Sequence, residues 1–376
     1  MQKQLNILAL EPFYGGSHKL WLEGLKQYST HHIELMTLPG RLWKWRMNGA
    51  AVTFAKRCQE LERRPDLFLA TDILDVATFR GLLPQELRDV PLITYFHENQ
   101  FAYPWQSKPK STQHDIHHVQ HFDLQYLFKN YTTALSSDFC YFNSRFNLES
   151  FLEGLRQMLK KLPDHTHSSD VSALREKFEV LPLGFTLPAQ TPLKKGKKIV
   201  WNHRWEFDKN PEEFFAILRE TKNLGEKFHL SLLGTRAQKY PAVFDEACEE
   251  FGEEMEVFNR LETREDYLKE LESGTVALTT SQQEFFGISV IEAINAGNLP
   301  LLPHRLSYPE IIPQKMHSTF LYKSREEAVD KLRQFLASPL QYAHEFEELQ
   351  RTVQKYRWPV MIQKYDERFL SHLKSH

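Results

Sequence analysis

The sequence predicts an α/β protein built from two doubly wound parallel sheets. Three observations predict it. Short apolar segments alternate with longer mixed ones through the first half. A stretch rich in proline, glycine and lysine breaks that pattern near residue 190. The same alternation then resumes and runs towards the end of the chain.

In the first half, strands are expected over 6–10, 33–38, 67–71, 91–97, 138–144 and 178–184. Each is five to seven residues long and largely apolar or β-branched. That is the pattern of parallel strands buried on both faces. Helical stretches fall between them, at 49–63 and 113–134 for example. The break is Pro188-Ala189-Gln190-Thr191-Pro192-Leu193-Lys194-Lys195-Gly196, which reads as an exposed linker. Beyond it, strands are expected over 198–203, 228–234, 256–261, 276–281, 299–303 and 319–322. Helices are expected over 211–221, 243–251, 264–271 and 288–296, and the last ~50 residues read as helical, including 358–373. The domain limits are therefore 1–192 and 193–356, with a terminal helix in 357–376.

Composition narrows the class. The chain of 376 residues carries 47 Lys and Arg against 49 Asp and Glu, a net charge of −2, which excludes a histone-like blanket of positive charge but not a local patch. No stretch approaches the ~18 consecutive apolar residues of a membrane span, and nothing reads as a basic amphipathic helix for membrane docking. The apolar run near the start is too short for a secretory leader and is read as the first buried strand. Three widely spaced cysteines, Cys58, Cys140 and Cys248, form neither a disulfide framework nor a zinc module, so a reducing, cytoplasmic setting is expected.

Two such halves on one linker would frame a cleft, and open α/β sheets bind ligands outside the carboxyl ends of their strands. Four segments fall there. Glu11-Pro12-Phe13-Tyr14-Gly15-Gly16-Ser17-His18 follows the first strand, and its paired glycines let backbone approach a ligand while the next helix offers free N–H groups to an anion. A tight turn with no ligand is the competing reading, and the three-glycine dinucleotide fingerprint is absent. His97-Glu98-Asn99-Gln100 places four hydrogen-bonding side chains at a strand end, although a structural histidine would also fit. Trp201-Asn202-His203-Arg204 leads through Lys209 to a helix start at Pro211, and an arginine fork with a lysine charge suits a diphosphate. A surface ion-pair cluster with Glu206 and Asp208 is the alternative. The most informative segment is Glu284-Phe285-Phe286-Gly287-Ile288-Ser289-Val290-Ile291-Glu292. Glu284 falls in a loop, the helix begins near Gly287 or Ile288, and Glu292 lies about a turn inside it. One carboxylate can accept sugar hydroxyls and the other a ribose diol, while helix-start amides face phosphate.

Those last residues resemble the nucleotide-sugar signature of retaining glycosyltransferases of the GT-B fold, family 4. Arg204 and Lys209 match that family's diphosphate-clamping pair, and Gly15, Gly16 and His97 match its donor-site elements in the first domain. The resemblance implies two Rossmann-like domains: an acceptor-side one over 1–192 and a nucleotide-sugar-binding one over 193–356. It also implies that the helix in 357–376 crosses back to the first. The segments around Glu11, His97 and Phe142-Asn143-Ser144 look like the tRNA-queuosine α-mannosyltransferase group. That implies transfer of mannose from GDP-mannose to queuosine in tRNA.

The resemblance further implies roles. His97, Arg204, Lys209 and Glu284 would be catalytic. Gly15, Gly16, Phe285, Phe286, Gly287, Ile288, Ser289 and Glu292 would complete the donor site. Ser17, His18, Glu98 and Asn99 would face the acceptor. No cofactor and no metal are expected: the chain has no Asp-x-Asp, and the basic pair takes over the charge role of a cation. His114, His117, His118 and His121 recur at helical spacing and could ligate zinc, but a helix surface is the plainer reading. For an RNA partner, Arg41-Leu42-Trp43-Lys44-Trp45-Arg46 interleaves cations with tryptophans, making Trp43 and Trp45 candidates for stacking on bases. Lys108-Pro109-Lys110 and 194–198 add charge. Transfer to a saccharide, lipid or small metabolite, and a non-catalytic nucleotide-sugar or tRNA-binding module, are the rival readings.

Overall fold

The computed structural model describes residues 3–102, 116–236, 240–258 and 261–373, with the backbone alone for 116–123 and 373. They form two units. Met1–Thr186 joins Tyr356–His376 in the first, and Leu187–Lys355 makes the second.

The first unit runs β1 (Asn6–Tyr14), α1 (Gly16–Tyr28), β2 (His32–Pro39), α2 (Trp43–Cys58), β3 (Leu67–Thr71), α3 (Val76–Leu82), β4 (Leu92–Phe96), α4 (Ile116–Ser136), β5 (Phe139–Phe142), α5 (Arg145–Leu159), α6 (Asp170–Glu176) and β6 (Phe178–Val180). The second runs β7 (Lys198–Trp201), α7 (Pro211–Asn223), β8 (His229–Leu232), α8 (Val243–Glu250), β9 (Met255–Phe258), α9 (Arg264–Ser273), β10 (Val276–Leu278), α10 (Ile288–Asn295), β11 (Leu299–Pro303), α11 (Tyr308–Ile311), α12 (His317–Phe320), β12 (Leu321–Tyr322), α13 (Arg325–Ala337) and α14 (Ala343–Val353). The last helix, α15 (Trp358–Leu373), belongs to the first unit.

Both sheets are parallel and six-stranded, in the orders β2-β1-β3-β4-β5-β6 and β12-β11-β10-β7-β8-β9. All twelve expected strands are present. β3 and β4 are buried at every residue, because helices cover both faces and only apolar or β-branched side chains are tolerated there. The chain order reverses between β1 and β3 in the first sheet and between β7 and β10 in the second. Crevices for ligands open at such reversals, outside the strands' carboxyl ends.

Several boundaries differ from expectation by a few residues, and two of the differences bear on function. β1 continues four residues past 6–10, because Glu11 still pairs with Thr37 of β2, and Tyr14 with Pro39. The turn into α1 is consequently tight. Gly15 and Gly40 touch backbone to backbone, and a Cβ on Gly40 would lie 2.9 Å from the Gly15 Cα. Helix α2 begins at Trp43 rather than 49, after Leu42 takes a left-handed φ of 56°. α2 buries Met47, Ala50, Ala51, Phe54, Ala55 and Cys58 against the core and carries Lys44, Arg46, Lys56 and Arg57 on its other sides.

α15 is latched by shape and by hydrogen bonds. The Trp358 indole fills the space beside Gly24 and Gly184, where added Cβ atoms would lie 1.9 and 2.5 Å from it. Asp366 accepts bonds from Ser29 Oγ at 2.6 Å and from Thr30 N at 2.9 Å. Trp21 Nε1 donates to Tyr365 Oη, which donates to the Pro182 carbonyl. Among the described residues no helix is long and apolar enough to cross a membrane, and all three cysteines are unbridged.

Candidate active site

In the first unit, four acidic or imidazole side chains meet at the sheet's reversal point. Glu11 comes from β1, His18 from the first turn and a half of α1, Asp72 from the end of β3 and His97 from the end of β4. Glu11 is fully buried. One of its oxygens accepts from Phe13 N at 2.7 Å, and the other meets His18 Nδ1 at 3.0 Å. The His18 and His97 rings lie 4.1 Å apart, and Trp21 meets His97 edge-on at 4.7 Å. Asp72 accepts from the His97 backbone N–H at 2.9 Å, which fixes where the β4 loop begins.

Charge distributes unevenly here. Burial alone would pull the His18 pKa down, but the adjacent Glu11 carboxylate, helped by Asp72 and Glu98, carries it up to about 9. His97 goes the other way. Burial and the neighbouring His18 charge hold it well below the ordinary imidazole range. Burial and the nearby Glu98 charge raise the Asp72 carboxyl. The result is an imidazolium beside a neutral imidazole, the rings tilted 34° to one another, and the buried Nε2 of His97 has no protein partner. Glu11, His18 and His97 each offer one ligand atom within 4.8 Å of the others, so these are the described residues that could hold a metal ion. The Glu11–His18 bond already engages two of those side chains.

Asn99 is buried and faces the protein. Its amide donates to the Asn147 carbonyl and side chain and to Ser150 Oγ, while its oxygen accepts from Ala102 N. Those bonds tie the β4 loop to α5. Ser17 is exposed and Glu98 half-buried. Gly16 sits at φ 52° as the first residue of α1. Trp43 packs against Tyr126, with ring centroids 5.3 Å apart, whereas Trp45 is 62% exposed. His114 and Lys108-Pro109-Lys110 lie outside the described residues, as do the side chains of His117, His118 and His121.

In the second unit, the loops after β7 and β10 meet at the other reversal point. Lys209 is buried and donates to the Gln283 carbonyl at 2.6 Å. Its ammonium lies 3.2 Å from Asp208 and 3.6 Å from Glu284. Thr280 ties down the same turn by donating to the Lys209 and Asn210 carbonyls. Arg204 is more exposed and pairs with Glu206 at 3.2 Å. Thus the structure brings Lys209 to Glu284, and both basic residues also have the carboxylate neighbours their sequence context suggested.

Glu284 turns back on its own loop, accepting from Phe286 N at 3.3 Å and Gly287 N at 3.0 Å. Gly287 precedes α10 with φ 98°, a conformation that disfavours a side chain, and a Cβ there would also strike Ile311 at 2.6 Å. Phe285 and Phe286 are buried, and Ile288 and Ser289 open the helix. Glu292, one turn in, is ion-paired with Arg264 and accepts from Tyr267 Oη at 3.0 Å. Asn202 donates to Tyr267 Oη at 3.0 Å and to the Ser289 carbonyl at 2.9 Å, while Ser289 Oγ meets His203 Nδ1 at 3.2 Å. Burial, with the charges of Lys209 and Arg204, pushes His203 down to about 3, so it stays neutral.

Sequence reasoning missed Asp72, Arg264 and Tyr267 and gave Glu11 no role. Asp72 had a usable signal, since it is a carboxylate immediately after a buried strand. Arg264 and Tyr267 are three residues apart on α9 and share a face, but nothing local ties them to Glu292.

This architecture, with both strand reversals lined by polar groups and a glutamate pair spanning loop and helix in the second sheet, is that of GT-B glycosyltransferases. Sucrose-phosphate synthase from Thermosynechococcus elongatus superposes with a TM-score of 0.70 at 14% identity, covering 100% of both chains. Anabaena HepE in complex with UDP-glucose gives 0.69 at 14% identity, covering 98% of this chain and 100% of the other. Residues 186–353 match the glycosyl transferases group 1 family, and residues 6–185 match the N-terminal domain of tRNA-queuosine alpha-mannosyltransferase. A Drosophila melanogaster protein described as tRNA-queuosine alpha-mannosyltransferase is 33% identical over 348 residues, 89% of this chain and 88% of that one. The chain belongs to the tRNA-queuosine alpha-mannosyltransferase family and is a glycosyltransferase.

Proposed function

We propose that this protein transfers mannose from GDP-mannose to queuosine in tRNA, retaining the configuration of the anomeric carbon, in the cytoplasm. The observation that carries the reading is the similarity to the Drosophila protein, which covers 89% of this chain and 88% of that one.

The second unit is assigned the nucleotide sugar. As the bond from the anomeric carbon to the diphosphate breaks, negative charge grows on the leaving oxygen. Lys209 and Arg204 supply cations for it, and the amides opening α10 supply dipoles. These groups are held before reaction begins, because Thr280, Gln283 and Asp208 fix Lys209. Binding sugar hydroxyls through Glu284 requires its carboxylate to exchange the Phe286 and Gly287 amides for the substrate, which frees those amides for phosphate. Glu292, braced by Arg264 and Tyr267, is assigned the ribose diol. In the first unit, the unpartnered Nε2 of His97 is offered to a substrate hydroxyl. We propose that the reaction runs without a metal, the fixed cations taking that charge role.

A panel of nucleotide sugars incubated with the protein and total tRNA tests the reading, with mass analysis of the released nucleosides. Gain of one hexose on queuosine with GDP-mannose is expected. Gain with another donor only, or on a non-tRNA acceptor only, would overturn it.

A further inference from the structure

We propose that the solvent face of α2 is a docking strip for an unpaired RNA loop, with Trp45 stacking on a base and Arg46, Lys56 and Arg57 meeting its phosphates. The proposal deepens the tRNA reading of the acceptor and rests on it.

The strip follows from helical geometry. At ~100° per residue, Trp45, Gly49, Val52 and Lys56 fall on one line along the helix, and Arg46, Thr53 and Arg57 lie beside them. Burial agrees: Trp45, Val52, Lys56 and Arg57 are exposed, while Met47, Ala50, Phe54 and Cys58 face the core. A Cβ at Gly49 would lie 3.0 Å from the Trp45 ring. Glycine there lets the indole approach the helix closely while 62% of the residue stays exposed. The neighbouring tryptophan serves a different end, since Trp43 is packed against Tyr126 and carries Lys44 above its ring at 5.5 Å.

Charge selects the occupant. Residues 35–59 contain Arg41, Lys44, Arg46, Lys56 and Arg57 and no carboxylate, in a chain whose net charge is −2. Arg46 and Arg57 are steadied by bonds to the Pro39 and Thr37 carbonyls, which orient a guanidinium without neutralising it. An exposed indole beside Arg46, Lys56 and Arg57, none of which is ion-paired among the described residues, suits a flexible polyanion with π-faces, and single-stranded nucleic acid has both.

Binding of a fluorescein-labelled RNA stem-loop to the full chain, followed by anisotropy over a salt series, tests the strip. Trp45→Ala should weaken binding by about 5- to 100-fold, and Trp45→Phe should restore most of it. Replacing Arg46, Lys56 and Arg57 together by Gln should reduce the slope of log K against log salt by about 2. Affinity and slope unchanged in both variants would overturn the proposal. So would binding through Trp45 to vesicles of anionic phospholipid with none to the RNA. Trp45-dependent RNA binding by a protein that transfers nothing to tRNA would uphold the strip and overturn the acceptor reading. Normal tRNA modification with wild-type RNA binding by Trp45→Ala would overturn the strip alone.

Discussion

Removing the Glu11 carboxylate should expose the cost of the histidine pair. His18 is carried from an ordinary pKa of 6.5 to about 9, against the opposing effect of burial. At 1.36 kcal/mol per pKa unit, the raised value is worth about 3 kcal/mol of folding stability. Because the folded-state pKa lies above the unfolded one, that contribution is fully present below about pH 6.5 and is lost as pH rises through about 9. Glu11→Gln leaves burial of His18 largely unopposed, so the variant should be about 3 kcal/mol less stable near pH 6. For a unit of this size that is a fall in Tm on the order of 10 °C. The gap between variant and wild type should shrink steadily towards pH 9. Denaturant melts of both proteins across pH 6 to 10 read this directly, and NMR titration of the imidazole reads His18 itself. A wild-type His18 titrating near 6.5, or a deficit that does not change with pH, would refute the reasoning.

Other expectations concern the second unit and the helical latch. Lys209→Met, which keeps the volume of the side chain, should lower kcat about 10²- to 10³-fold, as for loss of one donor to a developing anion, in steady-state assays with GDP-mannose and tRNA. Unchanged kcat in a folded variant would remove Lys209 from the diphosphate. Glu292→Gln should weaken GDP binding about tenfold or more in calorimetry, through loss of a charged hydrogen-bond partner held by Arg264 and Tyr267. Trp358→Ala should cost about 3–5 kcal/mol, because Gly24 and Gly184 have no side chains to move into the void, and chemical denaturation measures it.

Much of the fold was legible because its strands are short apolar runs buried on both faces, a pattern with few competing readings. β3 and β11 fall on the residues expected of them. β1 outran its apolar run, since Glu11 can stay in a buried strand only when a partner seven residues on, His18, neutralises it. That pairing depends on the backbone turn at Gly15 and Gly16, which composition does not reveal. The start of α2 was hidden for a related reason: Leu42 adopts a left-handed conformation no local residue type announces.

The glutamate pair and Lys209 were readable from spacing alone, because loop and helix fix their places within a few residues. Asp72 and Arg264 were not. Their roles appear only once strand order is known, when the end of β3 comes beside β1 and the start of α9 comes beside α10. The bonds of Asn99 were equally hidden. A polar residue at a strand end looks available, yet burial commits every bond its amide makes to the fold.

Queuosine-containing tRNA incubated with this protein and GDP-mannose should yield a hexosylated nucleoside that α-mannosidase strips and β-mannosidase leaves intact. A product cleaved by β-mannosidase alone, or no hexose on queuosine at all, would contradict the proposed retaining transfer.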